Sequence, residues 1–283
     1  MSENPTIAYL GPAGTYSDEA ARTFAARMGV DATFTAYPSF NTIFESVDSG
    51  RCDFGVVPTE NSLEGAVTST LDNFAFNSDA CILGEQVLGI HHCLLMQPGA
   101  TAADITTIAS HPQGLAQCRR YIAEHFPGRK TISTASTAES AQLAAADQHV
   151  AGIANAFAAE LYGAQVVERE IEDHFGNETS FALIAAQGSA PVFTGSKYKT
   201  SLALFLQSDR AGALLMILSE FAYANINLTK IQSRPTKRAL GDYMFFIDIE
   251  GSIFDPHVQT ALNCLRLKLR NVKVLGSYPV EER

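Results

Sequence analysis

The chain has 283 residues, 46% of them hydrophobic and 18% charged, a composition that supports one large buried core or two ordinary ones and excludes disordered and collagen-like structure. Its net charge of −10 argues against non-specific nucleic-acid binding. The start, Met1 to Pro5, lacks a secretory signal, and no apolar run approaches the roughly 18 residues of a membrane helix, so a cytoplasmic protein with no membrane or nucleic-acid partner is expected.

Ile7–Leu10 reads as a short strand running into Gly11-Pro12-Ala13-Gly14-Thr15-Tyr16-Ser17, where a helix opens with Ala20, Ala21, Phe24, Ala25 and Met28 on one face. Two glycines there permit close backbone approach, and Thr15, Ser17 and the helix N–H groups suit an anion or hydroxyl ligand. The same residues also fit a plain tight turn, and no lysine follows to make a P-loop. Strand 32–37, helix 39–48 and strand Phe54–Val57 come next, leading into Pro58-Thr59-Glu60-Asn61-Ser62-Leu63-Glu64-Gly65 and a helix predicted from about Gly65. Asn61 and Ser62 both donate and accept hydrogen bonds, and Glu60 is a group able to serve as acid or base; a capped turn is the plainer reading.

A β-rich stretch, Cys81 to Met96, interrupts the alternation. Strand 105–109 then enters Ser110-His111-Pro112-Gln113-Gly114-Leu115-Ala116-Gln117-Cys118 and a helix over 114–126 with Leu115, Cys118, Tyr121 and Ile122 inward. The five cysteines, Cys52, Cys81, Cys93, Cys118 and Cys264, contain no C-x-x-C pair, and His91 and His92 point to opposite faces of a strand, so neither a disulfide frame nor a metal site is expected. Cys118 has no basic neighbour to activate it as a nucleophile. Strand 131–135, the cap Ser136-Thr137-Ala138-Glu139, helix 137–146, strand 150–154 and helix 156–162 follow. Asn177-Glu178-Thr179-Ser180-Phe181 then leads a late strand over 181–184. This order predicts an α/β fold with mostly parallel sheets in residues 1–190. Two lobes are expected around a cleft, with crossings near residues 90 and 165, as in type 2 periplasmic binding proteins.

Gln187 to Ser196 has the Gly, Ser and Pro content of a connector. The charge changes sign beside it: residues 1–196 carry 8 basic and 22 acidic side chains, residues 197–283 carry 12 and 8. Strand 201–206, helix 212–224, strands 228–233 and 243–249, helix 256–269 and strand 272–275 give a ferredoxin-like βαββαβ unit over 197–283. Gly212-Ala213-Leu214-Leu215 starts its first helix, either admitting an amino-acid carboxylate or simply packing.

Together, GPAGTYS at 11–17, PTENSLEG at 58–65, SHPQGLAQC at 110–118, STAESA at 136–141, NETSF at 177–181, GALL at 212–215 and QSRP at 232–235 resemble the prephenate dehydratases that carry a C-terminal ACT regulatory domain. The resemblance covers essentially the whole chain. It implies decarboxylating dehydration of prephenate to phenylpyruvate in phenylalanine biosynthesis, without metal or organic cofactor, control by L-phenylalanine, and a homodimer or homotetramer. By resemblance, Thr179 helps the C4 hydroxyl depart, and Thr15, Ser17, Asn61, Ser62, Ser110, Gln117, Thr137 and Phe181 bind substrate. Gly212, Ala213, Leu214, Asn227, Leu228, Gln232 and Ser233 occupy effector positions. A threonine hydroxyl is too weak an acid for complete proton transfer at neutral pH, which makes Glu60 or water the expected proton source.

Two departures stand out. Where the family has Thr-Arg-Phe this chain has Thr179-Ser180-Phe181, and Gln232 replaces the usual Glu. For the first, either Arg22, Arg51 or Arg119 neutralises a substrate carboxylate, or the family arginine serves structure, or specificity and rate have changed. Arogenate dehydratase, a non-aromatising prephenate decarboxylase and a non-catalytic amino-acid sensor are therefore the rival readings.

Overall fold

The computed structural model describes residues 4–208, 210–238 and 242–280. Three layered bodies follow one another along the chain. The first contains β1 (Thr6–Leu10), α1 (Tyr16–Met28), β2 (Thr33–Tyr37), α2 (Phe40–Asp48), β3 (Phe54–Asn61), β4 (Gly65–Ala66), α3 (Thr68–Asp72) with a π-helical turn at Asn73–Asn77, and β5 (Cys81–Gly89). The second contains β6 (Cys93–Met96), β7 (Thr107–Ser110), α4 (Pro112–Gln117), α5 (Arg119–His125), β8 (Lys130–Ser133), α6 (Thr137–Ala146), β9 (Val150–Ala154), α7 (Ala156–Tyr162) and β10 (Gln165–Glu168). Strand β11 (Glu178–Ala185) returns to the first sheet, giving the order β2-β1-β3-β11-β5 with β4 beside β3; the second sheet runs β10-β6-β9-β7-β8. This is the two-lobed periplasmic-binding-protein arrangement. The third body holds β12 (Tyr198–Phe205), α8 (Ala213–Tyr223), β13 (Leu228–Pro235), β14 (Tyr243–Glu250), α9 (Pro256–Lys268) and β15 (Asn271–Pro279), a ferredoxin-like unit with sheet order β13-β14-β12-β15.

Strand alternation assigns the cores. Ile7, Val56 and Leu183 face α1 with Ala20, Ala21 and Phe24, whereas their neighbours Ala8, Val57 and Ile184 face α2 with Ile43 and Phe44. On β12, Leu202 and Leu204 pack under α8 and α9, while Ala203 and Phe205 join the core of the first lobe together with Met244, Phe246, Leu275 and Tyr278. The C-terminal sheet is thus buried on both faces, and a Cβ on Gly276 would sit 2.3 Å from the Ile82 carbonyl oxygen, so β15 lies directly on β5. The connector 186–197 has no helix or strand but is anchored by Phe193, which packs 6.3 Å from the Phe24 ring and 4.5 Å from the Arg27 guanidinium.

Four expectations change. The sheets are mixed rather than mostly parallel, because β11 runs antiparallel to both β3 and β5, and β6 antiparallel to β9 and β10. No helix starts at Gly65: Asn61 Oδ1 accepts from the N–H groups of Leu63 and Glu64, Gly65 takes φ +79°, and the segment closes a hairpin. The helix over 114–126 breaks at Cys118, where Asp173 donates its N–H to the Gln117 carbonyl and its carboxylate accepts from Arg120 N–H. The return to the first lobe comes after Glu168, not near 165, since β10 still belongs to the second sheet. No helix among the described residues is long and apolar enough to cross a membrane.

Candidate active site

Between the lobes lies a cleft of about 510 Å³. Thr15 and Ser17 line it from the start of α1, Thr137 from the start of α6, Gln117 from α4, and Asn61, Thr179 and Phe181 from the paired ends of β3 and β11. The GPAGTYS loop folds as it does because a side chain at Gly11 would strike Ala36 and because Gly14 sits at φ +84°. Its Asp18 is fully buried, accepting from Gly14 N–H at 2.8 Å and from Arg22 at 2.9 Å. The two lobes meet above it, with Tyr162 donating to the Ala13 carbonyl at 2.7 Å and Asn155 to the Glu19 carboxylate at 2.9 Å.

A bulge in β3 decides what faces the cleft. Phe181 is paired with Pro58 and Ser180 with Glu60, so Thr59 is the extra residue and both Pro58 and Asn61 reach the cleft side. Asn61 Nδ2 donates to Thr179 Oγ1 at 2.9 Å and to Asn177 Oδ1 at 2.7 Å. Since the threonine oxygen already accepts, its own hydrogen is left to donate into the cleft. Across the cleft, His92 Nε2 donates to Gln117 Oε1 at 2.7 Å, because a carbonyl oxygen can only accept. Its Nδ1 is buried without a partner among the described residues, and burial lowers the His92 pKa, so the ring is neutral at neutral pH. Burial pushes the Cys118 thiol far up, which leaves it inert.

Three expected site residues lie elsewhere. Glu60 does not line the cleft; it faces the C-terminal unit and pairs with Lys230 at 2.6 Å. Ser110 is fully buried and donates to the Ile153 carbonyl at 2.7 Å. Ser62 holds the return segment, accepting from Glu178 N–H at 2.9 Å. The cleft instead gains Tyr16, Glu64, His92, Gln113 and Asn177. Apart from His92, each sits inside a motif already singled out, and the only signal for His92 was its alternation with His91, which turns outward to Glu172. No lysine or arginine is among the described residues lining the cleft. Arg22 stacks over Phe34 and holds Asp18, Arg51 bonds to Ser49 and Arg119 is exposed, so none of the three is a cleft cation.

The family model for prephenate dehydratase matches residues 7–189. A prephenate dehydratase of Mycolicibacterium vanbaalenii is 37% identical, covering 97% of this chain and 91% of that protein. Among solved structures, prephenate dehydratase from Arthrobacter aurescens in complex with L-Phe is 35% identical with a TM-score of 0.85, covering 97% of this chain and 90% of that one. A structure described as a quorum-quenching acylase is 30% identical with a TM-score of 0.84 and 98% coverage of both chains. The chain belongs to the prephenate dehydratase family.

At the position of the family arginine, the Ser180 side chain points away from the cleft. Its hydroxyl donates to the Glu85 carboxylate and lies 3.2 Å from Thr59 Oγ1, on the strand face opposite Thr179. In the C-terminal unit, the residues expected to hold the family effector divide. Gly212, Ala213, Leu214 and Ser233 line a depression of about 730 Å³ at the start of α8. Asn227 lines another of about 580 Å³ beside Asn225, Gly251 and His257, and Leu228 and Gln232 line neither.

Proposed function

We propose that this chain is a prephenate dehydratase, converting prephenate to phenylpyruvate, water and carbon dioxide. The observation that carries the reading is Thr179, a cleft hydroxyl whose oxygen is fixed by Asn61 and whose hydrogen is free to donate. In the reaction the electron pair of the bond to the departing carboxylate enters the ring as the C4 hydroxyl leaves, and aromatisation makes the step downhill. The enzyme therefore needs to orient the substrate and to hydrogen-bond the departing oxygen. Glu64, in the cleft and 3.4 Å from Gln113 Nε2, is the carboxyl placed to supply the proton that completes water, directly or through solvent. Substrate carboxylates find no lysine or arginine among the described residues there. The N–H of Thr137, which has no intrahelical acceptor at the start of α6, and the hydroxyl of Ser17 are suited to receive them, whereas the Thr15 hydroxyl already donates to the Leu10 carbonyl at 3.0 Å.

The C-terminal unit reads as the regulatory domain and L-phenylalanine as its effector, supported by the L-Phe complex of the Arthrobacter protein. A homodimer or homotetramer in which two such units pair would bring Asn227 of one copy to the Gly212 depression of the other, joining effector residues that a single chain keeps in two depressions. Incubating purified protein with prephenate at neutral pH and identifying the product by chromatography tests the activity. Phenylpyruvate is expected, and a non-aromatic product or none would overturn the reading. Calorimetry with L-phenylalanine tests the effector, with measurable binding heat expected and its absence decisive against.

A further inference from the structure

Among the described residues, cations of the C-terminal unit meet acids of the first lobe in these pairs: Lys199 with Glu85, Lys230 with Glu60, Arg234 and Lys237 with Asp72, and Lys273 with Asp79. One of these pairs reaches the site. The second carboxylate oxygen of Glu85 accepts from Ser180, whose backbone carbonyl also accepts from Thr59 Oγ1 at 3.2 Å, and the preceding residue is Thr179. Lys199 and Glu85 are 16% and 25% exposed, so solvent screens this pair only in part. Around them, a small pocket of about 30 Å³, room for about one water, is bordered by Thr59, Glu85, Ser201, Lys230, Asp248 and Tyr278. Three carboxylates, Glu60, Glu85 and Asp248, thus share two ammonium groups, Lys199 and Lys230. Burial raises the Asp248 pKa even with Lys199 nearby.

Building on the dehydratase reading, we propose that Lys199 of the C-terminal unit is a positioning residue for Thr179, acting through Glu85 and Ser180. A strand residue aims its side chain through the pleat, so an anchor on one face at Ser180 fixes the direction of its neighbour on the other. Without Lys199, Glu85 is a half-buried carboxylate lacking its cation; it turns toward solvent and releases Ser180. A displacement of about 1 Å at a reacting group costs about a hundredfold in rate. The same chain of contacts gives a route for regulation. Lys199 faces Glu250 in the β12–β14 register, and Glu250 N–H donates to the Asn227 carbonyl at 3.0 Å, so a ligand that moves Asn227 acts on the strand that carries Lys199.

The test uses the full chain. Lys199→Met should lower kcat by about tenfold to a hundredfold with KM within about threefold, the signature of a lost transition-state interaction. Ser180→Arg added to Lys199→Met supplies a guanidinium to Glu85 from its own lobe, and should restore kcat while leaving it insensitive to L-phenylalanine. Lys273→Met, which removes a different contact between the same two bodies, should leave kcat unchanged. The Thr179 methyl resonance, followed by NMR without substrate, should shift in Lys199→Met, return in the double variant and stay in place in Lys273→Met. Wild-type kcat and an unmoved resonance in Lys199→Met would overturn the proposal, as would a double variant no better than the single one. Should Lys199→Met fail to fold, Glu85→Gln serves in its place, with a lowered kcat and a shifted resonance expected and wild-type values for both decisive against. A wild type that forms no phenylpyruvate, with the methyl shift still seen in Lys199→Met, would refute the dehydratase reading and leave the positioning role standing.

Discussion

The cleft and the contact between the first lobe and the C-terminal unit use opposite chemistry. Apart from the single carboxyl of Glu64, the polar lining of the cleft is hydroxyls, amides and the histidines His92, which is neutral, and His111, with no lysine or arginine among its described residues. The contact gathers Lys199, Lys230, Arg234, Lys237 and Lys273 against Glu85, Glu60, Asp72 and Asp79. The charge asymmetry of the sequence therefore describes how two bodies of the chain bind each other, not how the chain binds its ligand. A dehydration driven by aromatisation needs aim more than charge, and aim comes from strands held on both faces.

If that contrast is right, the largest loss comes from one neutral hydroxyl. Thr179→Ala should lower kcat by about a hundredfold to a thousandfold, the range for deleting a preorganised donor, with little change in Tm. Product formation at saturating prephenate measures it, and a loss under about tenfold would mean that the donor lies elsewhere in the cleft. Asn61→Asp is the next step down. It retains an oxygen to accept from Leu63 and Glu64 N–H but replaces the donor to Thr179 with an acceptor, so the threonine hydrogen turns toward the new carboxylate and away from substrate. A fall in kcat of about tenfold to a hundredfold with an intact fold is expected.

Much of this was legible in the sequence. Period-2 and period-3.6 patterns placed β9, α6 and α7, and the motifs brought Thr15, Ser17, Asn61, Gln117, Thr137, Thr179 and Phe181 to one cleft. The failures share a cause in contacts made far along the chain. Glu60 was misplaced because the bulge at Thr59, set by pairing with β11, rotates it toward Lys230, 170 residues later in sequence. Ser110 was misplaced because its hydroxyl hydrogen goes to the Ile153 carbonyl, 43 residues later in sequence, and the side chain is fully buried. No local pattern encodes which strand end a bulge will turn.

On the charged side of the contrast the expected effects are on stability. Burial alone would raise the Asp72 pKa, but hydrogen bonds and charge from Arg234 and Lys237 outweigh it and hold the carboxyl below its ordinary value. A depressed pKa contributes stability that is present above the ordinary carboxylate range and lost as pH falls through the lowered value. Asp72→Asn should therefore cost about 1 kcal/mol and about 2–4 °C in Tm at neutral pH, with kcat little changed. It should also flatten the fall of Tm on acidification relative to wild type. A variant whose Tm falls as steeply as wild type would show that another carboxylate governs acid loosening of the contact.

The smallest effect belongs to Glu60, and its smallness is informative. The residue sits one position from Asn61 yet on the far side of β3, half-exposed and bound to Lys230. If the bulge partitions chemistry as described, Glu60→Gln should leave both kcat and the pH–rate profile as they are, with Tm changed by no more than about 2 °C, the scale of an exposed ion pair. Glu64→Gln, four residues on and inside the cleft, should instead lower kcat and alter the profile, because it removes the proton donor. Measured side by side, the two variants differ only in which face of one hairpin carries the lost charge. An altered profile in Glu60→Gln with an unchanged one in Glu64→Gln would reverse the assignment of the two faces and place the proton source at the contact with the C-terminal unit.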